Sequence, residues 1–199
     1  SRTDIQRIVN AIPEPCGIDL HAGLSSPVMM AILGSTGRRP AHTEFDPLGE
    51  LTRCGTIPYS MNTAVRLMGD AIRGVDSEST ETVIGVSSEP YHNAGASAVE
   101  ELACVLATAV EYVSGLRDAE LDIDAITPRM RFTFPVGTRF FMEVAKLRAA
   151  RFLWAHIVKH FGSDTEDSMK MRMHVRSSWW NHTATDPYVN MLRVTVEGM

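Results

Sequence analysis

Glu89, Tyr91 and His92 put a carboxylate, a phenol and an imidazole within four residues of one another. Glu89 and His92 are of the types that act as general acid and base, and Tyr91 can donate a hydrogen bond to developing charge. A polar stretch whose Tyr and His only satisfy nearby backbone groups would read the same way. A second stretch, Arg176-Ser177-Ser178-Trp179-Trp180-Asn181-His182, offers a cation, hydroxyls and two aromatic plates. Arg binds phosphate in a fork geometry, so a phosphate-bearing ligand would suit it. Paired exposed tryptophans, however, mark an interface more often than a catalyst. Asp19 and His21 form a weaker acid/base pair. Lys146, Arg148 and Arg151 share one helix, where such a charged flank is usually solvated or salt-bridged. No Cys/His spacing resembles a metal site.

These residues need elements to hold them, and the chain reads as strand followed by helix, repeated. Expected strands are 16–21, 41–45, 81–87, 129–134 and 169–175. The clustered Val83, Ile84 and Val86 suit a strand buried on both faces. Helices are expected at 28–33, 48–53, from Ser60 to Ile72, at 96–116, at 138–160, and from Asp186-Pro187 onward, still running at Met199. Asp46-Pro47 resembles an N-cap with a proline at the first helical position, and Asp186-Pro187 begins the last helix. The apolar stripe Val99, Leu102, Ala103, Leu106, Val110 and Val113 has helical spacing. Leu147, Ala150, Trp154, Ile157 and Val158 form the expected buried face of the next long helix.

Strands alternating with helices imply a parallel sheet, because parallel neighbours need a crossover. About five such units are visible, and no G-x-G-x-x-G follows a strand, which weighs against a dinucleotide fold. In parallel α/β folds the chemistry sits on loops after the C-terminal ends of strands. That is where both polar stretches fall.

The bulk properties exclude several classes. The 199 residues carry a net charge of -5 and are 44% hydrophobic and 22% charged, as in an ordinary globular protein. No basic patch is large enough to offset a line of phosphates, so nucleic acid is not an expected partner. No apolar run has the length of a membrane span, and the N-terminus lacks the plan of a signal peptide. The scattered Cys16, Cys54 and Cys104 fit a reducing compartment, so a cytoplasmic location is expected.

The run Phe140-Phe141-Met142-Glu143-Val144-Ala145-Lys146-Leu147-Arg148-Ala149-Ala150-Arg151-Phe152-Leu153-Trp154 strongly resembles a long stretch of methylmalonyl-CoA mutases. Asn93-Ala94-Gly95-Ala96 followed by Glu101-Leu102-Ala103, and Asp186-Pro187-Tyr188-Val189-Asn190, resemble two further segments in the same order. The resemblance implies a (β/α)₈ barrel that binds a CoA thioester, with cobalamin held by a separate domain. It also implies a radical rearrangement in which adenosylcobalamin makes the radical and the protein orients and shields it. About five central barrel units are expected here, making residues 1–199 part of one barrel domain, incomplete at both ends. The Asp-x-His-x-x-Gly segment whose His ligates cobalt in the family is absent, so no metal ligand is expected from this chain.

Departures from the family point to one kind of subunit. Where its catalytic chains carry a Tyr and a His facing the substrate, this chain has Glu89 and Pro90, with Tyr91-His92 shifted by two. Arg176 stands where a substrate-contacting Gln lies, and Trp179 replaces a small Gly. Asp46-Pro47-Leu48-Gly49 resembles the corresponding segment of small subunits. The expectation is a small-subunit barrel, itself non-catalytic, paired with a homologous large catalytic subunit as a heterodimer. The alternative is an active acyl-CoA mutase with a changed pocket, using Tyr91, His92 and His174 as catalytic candidates. Glu89, Arg176 and Ser178 are the candidates for substrate contact.

Overall fold

The computed structural model describes residues 2–13, 16–76 and 79–198. In chain order it contains α1 (Arg2–Ala11), β1 (Asp19–Leu20), α2 (Ser26–Gly34), β2 (His42–Phe45), α3 (Pro47–Cys54) and α4 (Met61–Arg73). β3 (Thr82–Ser87), α5 (Glu89–Asn93), α6 (Ala98–Asp118), α7 (Ile123–Ile126) and β4 (Met130–Val136) follow. α8 (Phe140–His160), α9 (Glu166–Met169), β5 (Met173–Ser177) and α10 (Pro187–Glu197) complete it.

The five strands form one sheet in sequential order, and every neighbouring pair is parallel. A doubly wound sheet would reverse its order at one point. Here each crossover continues in the same direction, as it does around a barrel. The chain is therefore half of a (β/α) barrel, with helices on the outside.

β4 shows how sequence builds the two faces. All seven of its residues are buried. Met130, Phe132 and Phe134 join the core beneath the helices, where Trp154 of α8 meets Phe132 edge-on at 4.8 Å. The alternate residues, Arg131 and Thr133, face the barrel interior, reaching Asp19 and Glu44. On β3, Gly85 lets β2 come close. A Cβ there would lie 2.9 Å from Glu44 Cα, next to the register shift between His42 and Phe45.

Several helix starts carry side-chain caps, and the one at Asp46 is the cap that the sequence foretells. Asp46 accepts from Gly49 N at the head of α3, and Asp186 from Val189 N at the head of α10. Ser97 and Glu100 form a reciprocal capping box on α6.

Three expectations shift. The stripe of α6 is rotated: Leu102, Val105, Leu106, Ala109, Tyr112, Val113 and Leu116 are buried, while Val99 is 75% exposed. Val99 and Ala103 instead line an outer groove between α6 and α8. The fifth strand starts later than 169. Asp124 accepts hydrogen bonds from Ser163, Thr165 and Ser168, which folds 166–169 into the short α9. The stretch after β3 forms a single helical turn, α5, with Pro90 in its first turn. Helix α10 runs to Glu197, with Gly198 N closing on Val194 O; Met199 lies outside the described residues. Among the described residues no helix is long and apolar enough to cross a membrane.

Candidate functional site

The C-terminal ends of the strands open onto a cavity of about 970 Å³. Its wall is acidic. Glu44, Asp46, Glu50 and Glu89 line it, against Arg53 and Arg176. Both arginines are already paired, Arg53 with Glu50 at 2.5 Å and Arg176 with Glu89 at 3.1 Å. The Arg176 guanidinium also sits 5.3 Å from the ring centre of Trp179, a cation–π distance. Glu89, Arg176 and Trp179 thus form one cluster across the mouth, joining the turn after β3 to the end of β5.

His21 Nδ1 lies 2.5 Å from Glu44 Oε2, and Thr133 donates to the other Glu44 oxygen. The expected pair of Asp19 with His21 is thereby divided, since Asp19 accepts from Arg131 at 3.1 Å. Asp46 is buried beneath the mouth. Its Oδ1 accepts from Gly49 N and from Tyr112 OH at 2.5 Å, and its Oδ2 from Ser87 N at 2.8 Å. Burial pushes its carboxyl up to about 6, against the pull of those three hydrogen bonds. The same burial, with Asp46 beside it, pushes the Tyr112 phenol up.

A second polar cluster lies behind the mouth, out of water. Lys146, whose side chain is 1% exposed, donates to both oxygens of Glu101 at 3.1 and 3.0 Å and to Pro135 O at 2.9 Å. Glu143 Oε2 is 2.7 Å away. His92 Nδ1 is 3.1 Å from Glu101 Oε2, and its Nε2 is 2.6 Å from Ser178 Oγ. Ser88 donates to Glu101 Oε1. Burial pushes the Glu101 carboxyl up. Hydrogen bonds from His92 and Ser88, with the Lys146 charge, outweigh that and hold it below the usual range. The cluster ties α5, α6, the end of β4, α8 and the loop after β5 together.

The sequence candidates therefore fall in three places. Glu89 and Arg176 meet at the mouth. Tyr91 turns its hydroxyl to Thr108 at 3.1 Å, and His92 and Ser178 bond each other within the buried cluster. His174 lies on β5 opposite Thr133, further down the barrel interior. Sequence reasoning did not single out Glu44, Glu101 or Tyr112, and it treated Lys146 as part of a charged flank. Glu101 and Lys146 are 45 residues apart, and nothing in local spacing joins them. Helical phase did carry a signal, since Lys146 precedes Ala150 and Trp154 by four and eight residues on the buried face.

A parallel half-barrel with a polar mouth at its C-terminal strand ends defines the class, an α/β-barrel protein. The sequence pattern of the methylmalonyl-CoA mutase family matches residues 39–199. The methylmalonyl-CoA mutase large subunit of Streptomyces virginiae is 41% identical over 156 residues, which is 77% of this chain and 21% of the relative. The large subunit from Porphyromonas gingivalis is 37% identical over 77% of this chain and 22% of its own length. The methylmalonyl-CoA mutase of Escherichia coli K12 is 36% identical over 77% of this chain and 22% of its own. The chain belongs to the methylmalonyl-CoA mutase family, and the aligned segment spans about a fifth of the length of these relatives.

Proposed function

We propose that this chain is barrel sequence of a mutase small subunit. In this reading it supports the adenosylcobalamin-dependent interconversion of methylmalonyl-CoA and succinyl-CoA without carrying it out. Residues 1–199 are then one part of a single barrel domain, and the partner is a homologous large catalytic subunit. The observation that carries the reading is the Glu89–Arg176–Trp179 cluster. Glu89 and Pro90 replace the substrate-facing pair of catalytic chains, and the mouth holds four carboxylates against two arginines that are already neutralised. A CoA thioester with an acidic acyl group and phosphates would meet net negative charge there, and among the described residues lining the mouth both arginines are already paired.

Two of the histidines are engaged within the barrel. His92 commits both ring nitrogens to Glu101 and Ser178, and His21 is held by Glu44. No group of three His, Cys, Asp or Glu among the described residues could hold a metal ion. In this reading cobalamin is held by other sequence of the holoenzyme, as the family resemblance implies, and the contribution of this barrel is assembly.

The alternative, an active mutase with a changed pocket, draws on the relatives named above as large subunits. Kinetics of the reconstituted two-subunit enzyme separate the two readings. With a non-catalytic barrel, Glu89→Gln and Arg176→Ala leave kcat and KM within about twofold of the unsubstituted enzyme. A loss on the order of 100-fold in kcat/KM, the scale of a substrate-contacting group, sinks the proposal.

A further inference from the structure

On the outside of the barrel, α6 and α8 run side by side in the same direction. Lys146 meets Glu101 near their starts, and Arg117 donates to Phe161 O at their ends, at 3.3 Å. Between them lies a groove of about 320 Å³, lined by Val99, Leu102, Ala103, Met142, Ala149 and Leu153. Phe141 and Phe152 of α8 are 84% and 65% exposed. A contiguous apolar patch of this kind marks a contact surface.

The charges around it identify the occupant. The solvent side of α6 shows Glu100, Ala103, Ala107 and Glu111, and that of α8 shows Arg148, Phe152 and Lys159. Glu111 and Arg148 have no ion-pair partner among the described residues, and Lys159 meets the exposed Asp164 at 3.5 Å. Glu100 Oε2 accepts from Ser97. The two acids are eleven residues apart and so are the two bases, a spacing of about three helical turns or 16 Å. Within one chain they do not meet, because Glu111 is level with His156, about 12 Å beyond Arg148. Two copies related by a two-fold axis bring them together, since the axis lays α8 of one antiparallel on α6 of the other. The register that sets Arg148 against Glu111 of the second copy also sets Lys159 against its Glu100. The same register places Phe152 on Ala107, whose small side chain leaves room for the ring. A partner surface of one sign would satisfy only one of the two helices. We infer that the α6–α8 face binds a second copy of this chain, through an isologous interface with one Phe152 on each side of the axis. The holoenzyme then holds two copies of the chain, whether or not this barrel turns over substrate.

Sedimentation equilibrium of the protein in its full coding context, purified without a large subunit, tests this. The expected mass is that of two chains. Phe152→Glu should raise the dimer dissociation constant by on the order of 100-fold, as loss of a central aromatic anchor does. Arg148→Glu and Glu111→Arg, each at an exposed position, should each raise it about tenfold and leave the circular dichroism spectrum unchanged. Combined in one chain, the two reversals should bring it back to within about threefold of the unsubstituted value, since the reversed pairs re-form across the axis. A single-chain mass, a dimer indifferent to Phe152→Glu, or a double reversal no tighter than either single one overturns the proposal. So does a large subunit that displaces the second copy and loses its own hold on Phe152→Glu, an outcome that gives the face to the large subunit.

Discussion

Asp46 caps α3 and also stitches β3 and α6 together, through Ser87 N and Tyr112 OH. Its N-terminal capping role was legible from the Asp-Pro pair. Its contacts with Ser87 and Tyr112, 41 and 66 residues away, were not. The pH consequence follows from its raised value. Its folded carboxyl titrates at about 6, against an ordinary 3.8, so the unfolded chain releases the proton more readily. Stability from this group is greatest below about pH 4 and is lost as the pH climbs through 6, by about 3 kcal/mol in all. In urea unfolding, the advantage of the unsubstituted chain over Asp46→Asn should shrink by about that amount between pH 4 and pH 7. A difference that stays constant across the interval would refute the assignment. Glu89 and Arg176 belong to this scale as well. Each residue type was readable as a candidate, but their mutual neutralisation needed the fold to bring two strand ends together.

Between elements, the Lys146–Glu101 pair joins α8 to α6 while His92 and Ser178 bring in the two mouth loops. Removing one partner strands a buried charge, so Lys146→Met should cost about 3–5 kcal/mol of unfolding free energy. Adding Glu101→Leu to that variant should cost less than the sum of the two single losses, because the carboxylate stranded by the first change is removed, although Ser88, His92 and Glu143 lose a partner. Equal or additive losses in such a double-mutant cycle would show that the two side chains do not act as a unit. The long helices and the strands at 81–87 and 129–134 were legible, because periodicity and β-branched clusters are local signals. The short helices α5, α7 and α9 were not, since a single turn leaves too few residues for a periodic signal, and α9 is set by Asp124, about forty residues away. The rotation of the α6 stripe has the same origin. Sequence shows that a helix has an apolar face, but the packing of α6 against the sheet and α8 decides which of its apolar residues are buried.

The whole molecule is a half-barrel whose central strands carry its stability. β3 and β4 are flanked on both sides and almost wholly buried, whereas β1 and β5 each have one neighbour within the sheet. Hydrogen exchange should therefore rank the amides of β3 and β4 slowest and those of β1 and β5 faster by at least tenfold. Uniform protection across all five strands would contradict this architecture. The sequential sheet order was half legible: alternation implied parallel strands, and the family resemblance implied a barrel, but only the observed strand order, which never reverses, distinguishes it from a doubly wound sheet. The role of the chain within a mutase is tested most directly by turnover. The protein should be expressed in its full coding context, purified without any other mutase subunit, and assayed with methylmalonyl-CoA and adenosylcobalamin. The account predicts no succinyl-CoA until a large subunit is added, and turnover by the protein alone would contradict it.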